Sequence, residues 1–578
     1  MQVSPVPVEW GFVGGAAGMA AGRGRLLAVL AFLLFLPVTA VAQVIPPGAQ
    51  PGREREQLAP PVAGPQARPG GATITLPSTV APAGAESIRL TIGRVVITGA
   101  TVYSDADLAP LYADLLGAEV SLAAVYDLAR RITAKYGAAG YVLSRAVVPP
   151  QNFSPRGAVV RIQVVEGYVD RVLWPEKLTR YRDFFTDYAA RIVADRPANI
   201  RTLERYLLLA NDLPGLKFAT SLKPSPTHPN ASILIVEVIE KPVDLLARID
   251  NRGTQARGPW QYLGSATLNN TVARAHEAFT VTYAGTFQLE ELQYLQFGYK
   301  QVLNSEGLTF FANASYGVGT PGTEQLRLFD YRTRSAVLEA GLTYPVIRSR
   351  EANLYVTGLG FVTNDYSYEF GDLFTRDRLR GFRLKADADW ADSFLGINQV
   401  NVTLSHGFDG LGSTGNDNPL ASTNAGRVDF TKIEGTFTRV QPLFWNFSAF
   451  VAAYAQVAAT PLLVSEQCGY GGRFFGRAFD PSQMLGDSCW AALGELRFDV
   501  PHAIKRLTRA QLYAYADHGE TYNIDPAPGT PRMQHGTSAG AGVRAEWETI
   551  YNADLSLAKA VEGPRHDWRV FLILGAKL

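Results

Sequence analysis

From residue 242 to the C-terminus, apolar and polar side chains alternate in segments of roughly ten residues, separated by clusters of Gly, Asn, Asp and Pro. In the last segment Trp568, Val570, Leu572, Leu574, Ala576 and Leu578 share one parity, and Asp567, Arg569 and Lys577 the other. Over 445–457, Phe447, Ala449, Val451, Ala453 and Ala455 face one way, and Asn446, Ser448, Tyr454 and Gln456 the other. Successive side chains of a strand point to opposite faces, so one row is expected to meet lipid and the other a polar lumen. Segments of this kind begin near residues 243, 261, 277, 292, 308, 335, 352, 378, 396, 427, 444, 489, 509, 537, 551 and 567. The pattern predicts an all-β, 16-stranded antiparallel transmembrane barrel over 242–578, its even strand number suiting closure.

Upstream the period changes. Between residues 87 and 167 a strand signal at Arg94–Thr98 is followed by Gly99 and by Ser104, placed to cap a helix. Leu108, Leu111, Tyr112 and Leu115 then fall at helical spacing, and Leu122, Val125, Leu128, Ile132 and Tyr136 form a second apolar stripe. Strands are expected through Ala146–Val148 and over Val159–Val165, with Pro149-Pro150 between them. Residues 168–241 repeat the order: a strand at 170–173, helices at 181–194 and from Ile200 through Leu203, Tyr206, Leu207 and Ala210, then strands at 216–223 and 231–239. Two tandem α+β modules therefore precede the barrel.

The N-terminus reads as an export address. Arg23 and Arg25 precede the apolar run Leu26 to Phe35, and Thr39-Ala40-Val41-Ala42 follows, so a signal peptide over 1–42 is expected to be cut before Gln43. Residues 43–86 hold nine prolines, which remove backbone donors and block helix, so a flexible Pro-rich linker is the expectation. Its one helix-compatible patch, 53–58, is too short to be stable alone.

Composition narrows the function. Lys+Arg is 54 and Asp+Glu 53, a balance that argues against a nucleic-acid partner held by a broad basic surface. Charged residues are 19% and aromatics 11%, with 54 glycines, as suits an aromatic-rich β protein. No Ser/His/Asp arrangement, metal-ligand spacing or Gly-rich phosphate loop is visible, so no catalytic residue, metal, cofactor or nucleotide is expected. His518 lies on the apolar parity near a strand end and is expected at the membrane interface.

One connection, 458–488, is long, and long loops without regular structure are usually functional. It contains Gly476, Arg477, Ala478, Phe479, Asp480 and Pro481. Its two flanking cysteines, Cys468 and Cys489, suggest a disulfide across its base in an oxidising compartment, worth about 3 kcal/mol on the chain-entropy view.

The tandem modules resemble POTRA domains. The runs Lys135-Tyr136-Gly137-Ala138-Ala139-Gly140-Tyr141, Pro149-Pro150-Gln151 and Val164-Val165-Glu166-Gly167 are similar to the version found in two-partner secretion transporters (TpsB, hemolysin secretion/activation type). The stretch around Arg477 resembles the sixth extracellular loop of that superfamily, with Ala478 standing where the family usually has Gly. Tyr515-Ala516-Asp517-His518-Gly519 resembles its aromatic-x-Asp-x-Gly signature, and Asp250-Asn251-Arg252-Gly253 its first-strand turn, read as a tight turn. The resemblance implies that the loop folds back into the lumen and that Arg477 meets an aspartate on the wall. Parity independently turns Asp517, Glu495 and Arg497 inward, so Asp517, Gly519 and Glu495 are the expected wall partners.

For POTRA 1 (87–167) and POTRA 2 (168–241) the resemblance implies recognition of an unfolded, secreted TpsA-like exoprotein in the periplasm. Gly140, Tyr141, Pro149, Pro150 and Gln151 are the candidate recognition residues, with strand addition at a sheet edge as the physical mode. The barrel, in contact with outer-membrane lipid, would pass the client outward. A barrel-assembly insertase is the alternative, though such proteins usually carry three to five modules, and a passive porin or receptor would need neither the modules nor the loop. Family members often begin with a helix that plugs the pore, and 43–86 shows no long helix.

Overall fold

A computed structural model describes residues 45–58, 65–68 and 80–578. The signal peptide expected over 1–42 lies outside the described residues.

In the first module Ser104 caps a helix through a reciprocal box, its hydroxyl accepting from the Asp107 amide and the Asp107 carboxylate accepting from the Ser104 amide. The single helix expected beyond it is instead a short helix, Asp105–Leu108, followed by 3-10 turns at Ala109–Leu111 and Ala113–Leu115. Pro110 is the reason, since it has no N–H to donate to the growing helix. The long helix Leu122–Ala138 buries Val125, Leu128, Ile132 and Tyr136 on a sheet ordered Glu119–Ser121, Arg89–Thr98, Ala158–Val165, Arg145–Val147. The second module sets helices Phe185–Ala194 and Ile200–Asn211 on the strands Tyr168–Leu173, Ala231–Glu240 and Leu216–Pro224.

Backbone bonds join the modules: Ile200 N–H donates to the Gly140 carbonyl at 2.8 Å and Ala198 N–H to the Gly167 carbonyl at 2.9 Å. Gly140 has φ +93°, and a Cβ there would lie 2.7 Å from the Asn199 side chain, so only glycine fits the joint. The second module docks on turns of the barrel. Asp212 accepts both Nε and Nη2 of Arg348 at 2.7 Å, and the Tyr206 hydroxyl donates to Glu306 at 2.9 Å. His276 Nε2 bonds the Arg182 carbonyl at 2.7 Å.

Sixteen strands, from Val243–Asp250 to Trp568–Lys577, form one closed barrel in which each is antiparallel to its neighbours. Closure pairs the last strand with the first, from Ile573↔Asp250 to Lys577↔Leu246. Each of the sixteen expected segments corresponds to one strand. The largest offset is at the eighth, which begins at Asp372 rather than 378, because Arg376, Arg378 and Arg380 interrupt the apolar row at its outer end. Trp568, Val570 and Leu574 are exposed on the outer wall, while Phe571 between them is buried inside.

Candidate functional site

The connection after the strand Phe447–Ala458 turns into the barrel. Its two limbs pair as a short hairpin, Cys468–Tyr470 with Met484–Gly486. Tyr470, Ala478, Phe479 and Met484 are buried against Ala491, Leu493, Tyr513, Tyr515 and Phe571 of the wall. Cys468 and Cys489 are disulfide-bonded, tying the hairpin to the strand Ser488–Asp499.

Polar contacts then fix the loop. Arg477 Nη1 donates to Glu495 Oε2 at 2.5 Å with both side chains buried, and its guanidinium lies 4.5 Å from the centre of the Tyr515 ring. Glu495 also takes Arg497 and Arg544, each at 2.7 Å, so three guanidiniums converge on one carboxylate. The aspartate partner expected for the Arg477 side chain is therefore corrected to a glutamate one strand back. Asp517 lies beneath the loop's backbone instead: it accepts the Tyr470 hydroxyl at 2.5 Å, the Gly476 amide at 2.8 Å and the Ser538 hydroxyl at 2.8 Å. Only the backbone N–H of Arg477 reaches it, at 3.4 Å, because the side chain leaves the turn in the other direction. Gly519 makes room for this arrangement, since a Cβ there would come within 2.3 Å of the Tyr470 ring.

Within the motif the left-handed residue is Gly476, φ +66°, so Ala478 carries no strain from its side chain. Phe479 is buried, Asp480 pairs with Arg569 at 2.7 Å, and the Pro481 carbonyl lies against Gly48. His518 sits on the outer parity, 5.4 Å from the Trp490 ring.

Two groups of residues in the site were not legible beforehand. The first is Asp250-Asn251-Arg252-Gly253. It opens a ten-residue connection rather than a tight turn, and its charges grip the loop. Arg252 Nη1 donates to the Arg477 carbonyl at 2.7 Å while its guanidinium stacks 3.7 Å from the Phe571 ring centre. Asp250 pairs with Arg248 at 3.0 Å and with Arg473 of the loop.

The second group is residues 46–58, read above as part of a flexible linker and here corrected to an ordered insert inside the barrel. Pro47–Ala49 forms a 3-10 turn and Glu54–Leu58 a short helix. Arg257 of the wall donates to the carbonyls of Gly48 at 3.0 Å and Ala49 at 2.8 Å, and pairs with Glu54 at 2.9 Å where both are fully buried. Arg53 donates to the Gln467 carbonyl and the Ser482 hydroxyl, both at 2.8 Å, so the insert also holds the loop. Leu58 enters an apolar niche of Leu263, Ala284, Leu292 and Tyr294. Prolines do exclude a long helix here, but they also stiffen the chain, which lowers the entropy lost when it is held. Further along, the amide of Ala67 donates to Asp389 at 2.6 Å.

On the loop's opposite side Glu466 pairs with Arg383 at 2.6 Å and Lys432 at 3.0 Å. The hairpin thus spans the bore between two walls, with the insert beside it.

In the first module the candidate recognition residues have local partners. Gly140 forms the inter-module joint, Tyr141 packs on Tyr136, and Pro149-Pro150 leads into Gln151. The Gln151 amide bonds both the N–H and the C=O of Arg161 at 2.8 Å, occupying ladder positions beside the end of the strand Arg145–Val147.

The family profile for a POTRA domain, ShlB-type, matches residues 90–167, and that for the haemolysin secretion/activation protein ShlB/FhaC/HecB matches residues 230–545, over half of the chain. The chain belongs to the ShlB/FhaC/HecB family. Among curated relatives, the outer membrane transporter CdiB of Escherichia coli is 26% identical over 214 residues, 36% of this chain and 34% of that protein. The heme/hemopexin transporter protein HuxB of Haemophilus influenzae is 24% identical over 165 residues, 28% of this chain and 29% of that protein. The matches thus span about a third of the length of these relatives.

Solved structures share the fold. CdiB from Escherichia coli superposes with a TM-score of 0.68 at 18% identity, covering 98% of this chain and 100% of that one. CdiB from Acinetobacter baumannii gives 0.55 at 14% identity, covering 96% and 97%. The family, the closed barrel and the POTRA modules place this protein in the outer membrane, with its modules on the periplasmic side.

Proposed function

We propose that the protein is a two-partner secretion transporter: it takes up an unfolded partner exoprotein in the periplasm and passes it outward through its barrel. The observation that carries this reading is the bore itself. Among the described residues it is closed by two narrow elements, the 459–487 loop and the 46–58 insert, each held by side-chain contacts that can exchange for others. Both lie on the path a client would take.

Client capture belongs to the periplasmic modules. In the first module the recognition residues engage the joint and the strand edge, so they shape the receiving surface rather than offer free side chains. Among the described residues the edge strand Leu216–Pro224 of the second module pairs on one side only, with Ala231–Glu240, and an extended client adds to its other side through backbone bonds. The protein acts as a conduit with no covalent step, and folding of the client outside supplies the direction.

The test is export of a partner encoded beside this chain's gene. Wild type is expected to release the partner into the medium, and Arg477→Ala to retain it in the periplasm while the barrel still folds. Assembly of unrelated outer-membrane barrels that depends on this protein would instead favour an insertase.

A further inference from the structure

The eighth barrel strand, Asp372–Ala391, carries an outward row that reads Arg376, Arg378, Arg380, Phe382, Leu384, Ala386, Ala388, Trp390. Its inward row holds Asp377, Leu379 and Asp389, all buried. Arg380 stands ten residues from Trp390, which at ~3.4 Å per residue and a tilt of ~40° is roughly 25 Å along the membrane normal, the height of the apolar band. The end of the sixth strand bearing Arg348 touches the periplasmic module, and Arg334 lies near its other end, facing outward. Arg334, Arg376, Arg378 and Arg380 therefore ring the outer-leaflet boundary on the lipid side of the wall.

Among the described residues none of these four guanidiniums is ion-paired. Arg378 bonds the Tyr366 hydroxyl at 3.0 Å, Arg380 bonds Asn364 at 3.0 Å and the carbonyls of Thr363 and Leu379 at 3.1 and 2.7 Å, and Arg334 lies 5.5 Å from the Tyr368 ring centre. Nε of Arg376 is buried without a hydrogen-bond partner. Arginine facing lipid is unfavourable unless it reaches water or an anion, and here four of them share one patch.

A groove of about 440 Å³ opens directly below, also on the outer face. Leu295, Phe297, Tyr316 and Leu338 form its sides, with Ala314 and Ala336 as a floor of small residues. Its far wall, Val362 and Asn364, pairs across the sheet with Arg380 and Arg378. Apolar groove and cationic rim are thus one continuous surface.

We propose that this face binds a phosphorylated, multiply acylated glycolipid of the outer leaflet, with one acyl chain in the groove and a phosphate on the arginines. Guanidinium forks match phosphate oxygens in a bidentate geometry, and cationic side chains at bilayer height recognise anionic headgroups in this way. The ligand is a lipid rather than a protein partner because the groove lies in the band that the bilayer covers.

Native mass spectrometry of the full chain in detergent, with lipid A added, tests the proposal. Lipid A is expected to stay bound at least tenfold better than its dephosphorylated form or phosphatidylglycerol. The double variant Arg378→Gln/Arg380→Gln is expected to reduce retention at least tenfold, and Ala336→Leu, which fills the groove but keeps the arginines, to reduce it as well. Equal retention of the three lipids by wild type overturns the proposal without any variant, and so does unchanged retention in both variants.

Discussion

Arg477 and Glu495 meet at 2.5 Å inside the barrel, one from the returning loop and the other from the wall, and the same carboxylate holds Arg497 and Arg544. The two ends of this pair are not equivalent. Arg477→Ala leaves Glu495 compensated by two guanidiniums, so the barrel is expected to keep its unfolding midpoint while the loop loses its latch. Glu495→Gln strands Arg477 and Arg497 in the bore, while Arg544 keeps Asp554 at 2.9 Å, and breaking a buried pair this way costs about 3–5 kcal/mol. Thermal unfolding of the two variants should separate them, with E495Q lower. Equal midpoints would show that the carboxylate is not the centre of the network.

Asp517 serves the loop's backbone rather than its arginine. Asp517→Asn replaces one acceptor oxygen by a donor; Oδ1 serves the Tyr470 hydroxyl and the Gly476 amide, and Oδ2 the Ser538 hydroxyl and the Arg477 amide, so whichever is replaced a loop amide loses its acceptor. A buried donor left unsatisfied costs about 1–3 kcal/mol. Protease susceptibility of the 459–487 loop is expected to rise in D517N, and to rise less in Tyr470→Phe, which leaves the three other donors in place. The opposite order would mean that Tyr470 carries the anchor.

These contrasts show what was legible in the sequence and what was not. The alternation of Trp568, Val570, Leu572 and Leu574 marks a strand because period-two burial is a local property. Parity likewise turns Glu495 and Asp517 inward. Which of them receives Arg477 depends on the height at which the loop's backbone crosses the wall, and no local pattern encodes that height. The insert is hidden from the sequence for a related reason. Proline density looks alike in a free tether and in a stiff segment held in place, and the residues that hold it, Arg257 and Ser482, lie far away in the chain. Arg252 reads as part of a turn because its acceptor, the Arg477 carbonyl, belongs to a backbone 225 residues on.

Arg257 is the insert's principal anchor. Arg257→Ala removes the partner of buried Glu54 and leaves the carbonyls of Gly48 and Ala49 without their donor. The insert is expected to vacate the bore for a larger fraction of the time, seen as more frequent and longer open events in planar bilayers. Deleting 46–58 is expected to give the same conductance without the closures. A variant that gates as wild type does would place the barrier in the loop alone.

Acid should loosen the first module at one identifiable point. Glu166 is half-buried, and burial by itself would raise its pKa. The hydrogen bonds it accepts outweigh that effect: the Thr101 hydroxyl and amide, the Tyr136 hydroxyl and the Val102 amide all favour the charged form, and they hold the carboxyl below its usual value. A carboxyl lowered on folding contributes stability in full above its unfolded-state value and loses it as pH falls through the folded-state value. The Thr101 and Val102 amides are therefore expected to stay protected from hydrogen exchange at neutral pH and to open below the ordinary glutamate range, after correction for intrinsic rates. Tyr136→Phe removes one donor, which brings the folded value back toward the ordinary one, so opening should begin at higher pH. Glu166→Gln should make the protection of these two amides independent of pH across the same window. Protection that still falls with acid in E166Q would assign the loss to another group.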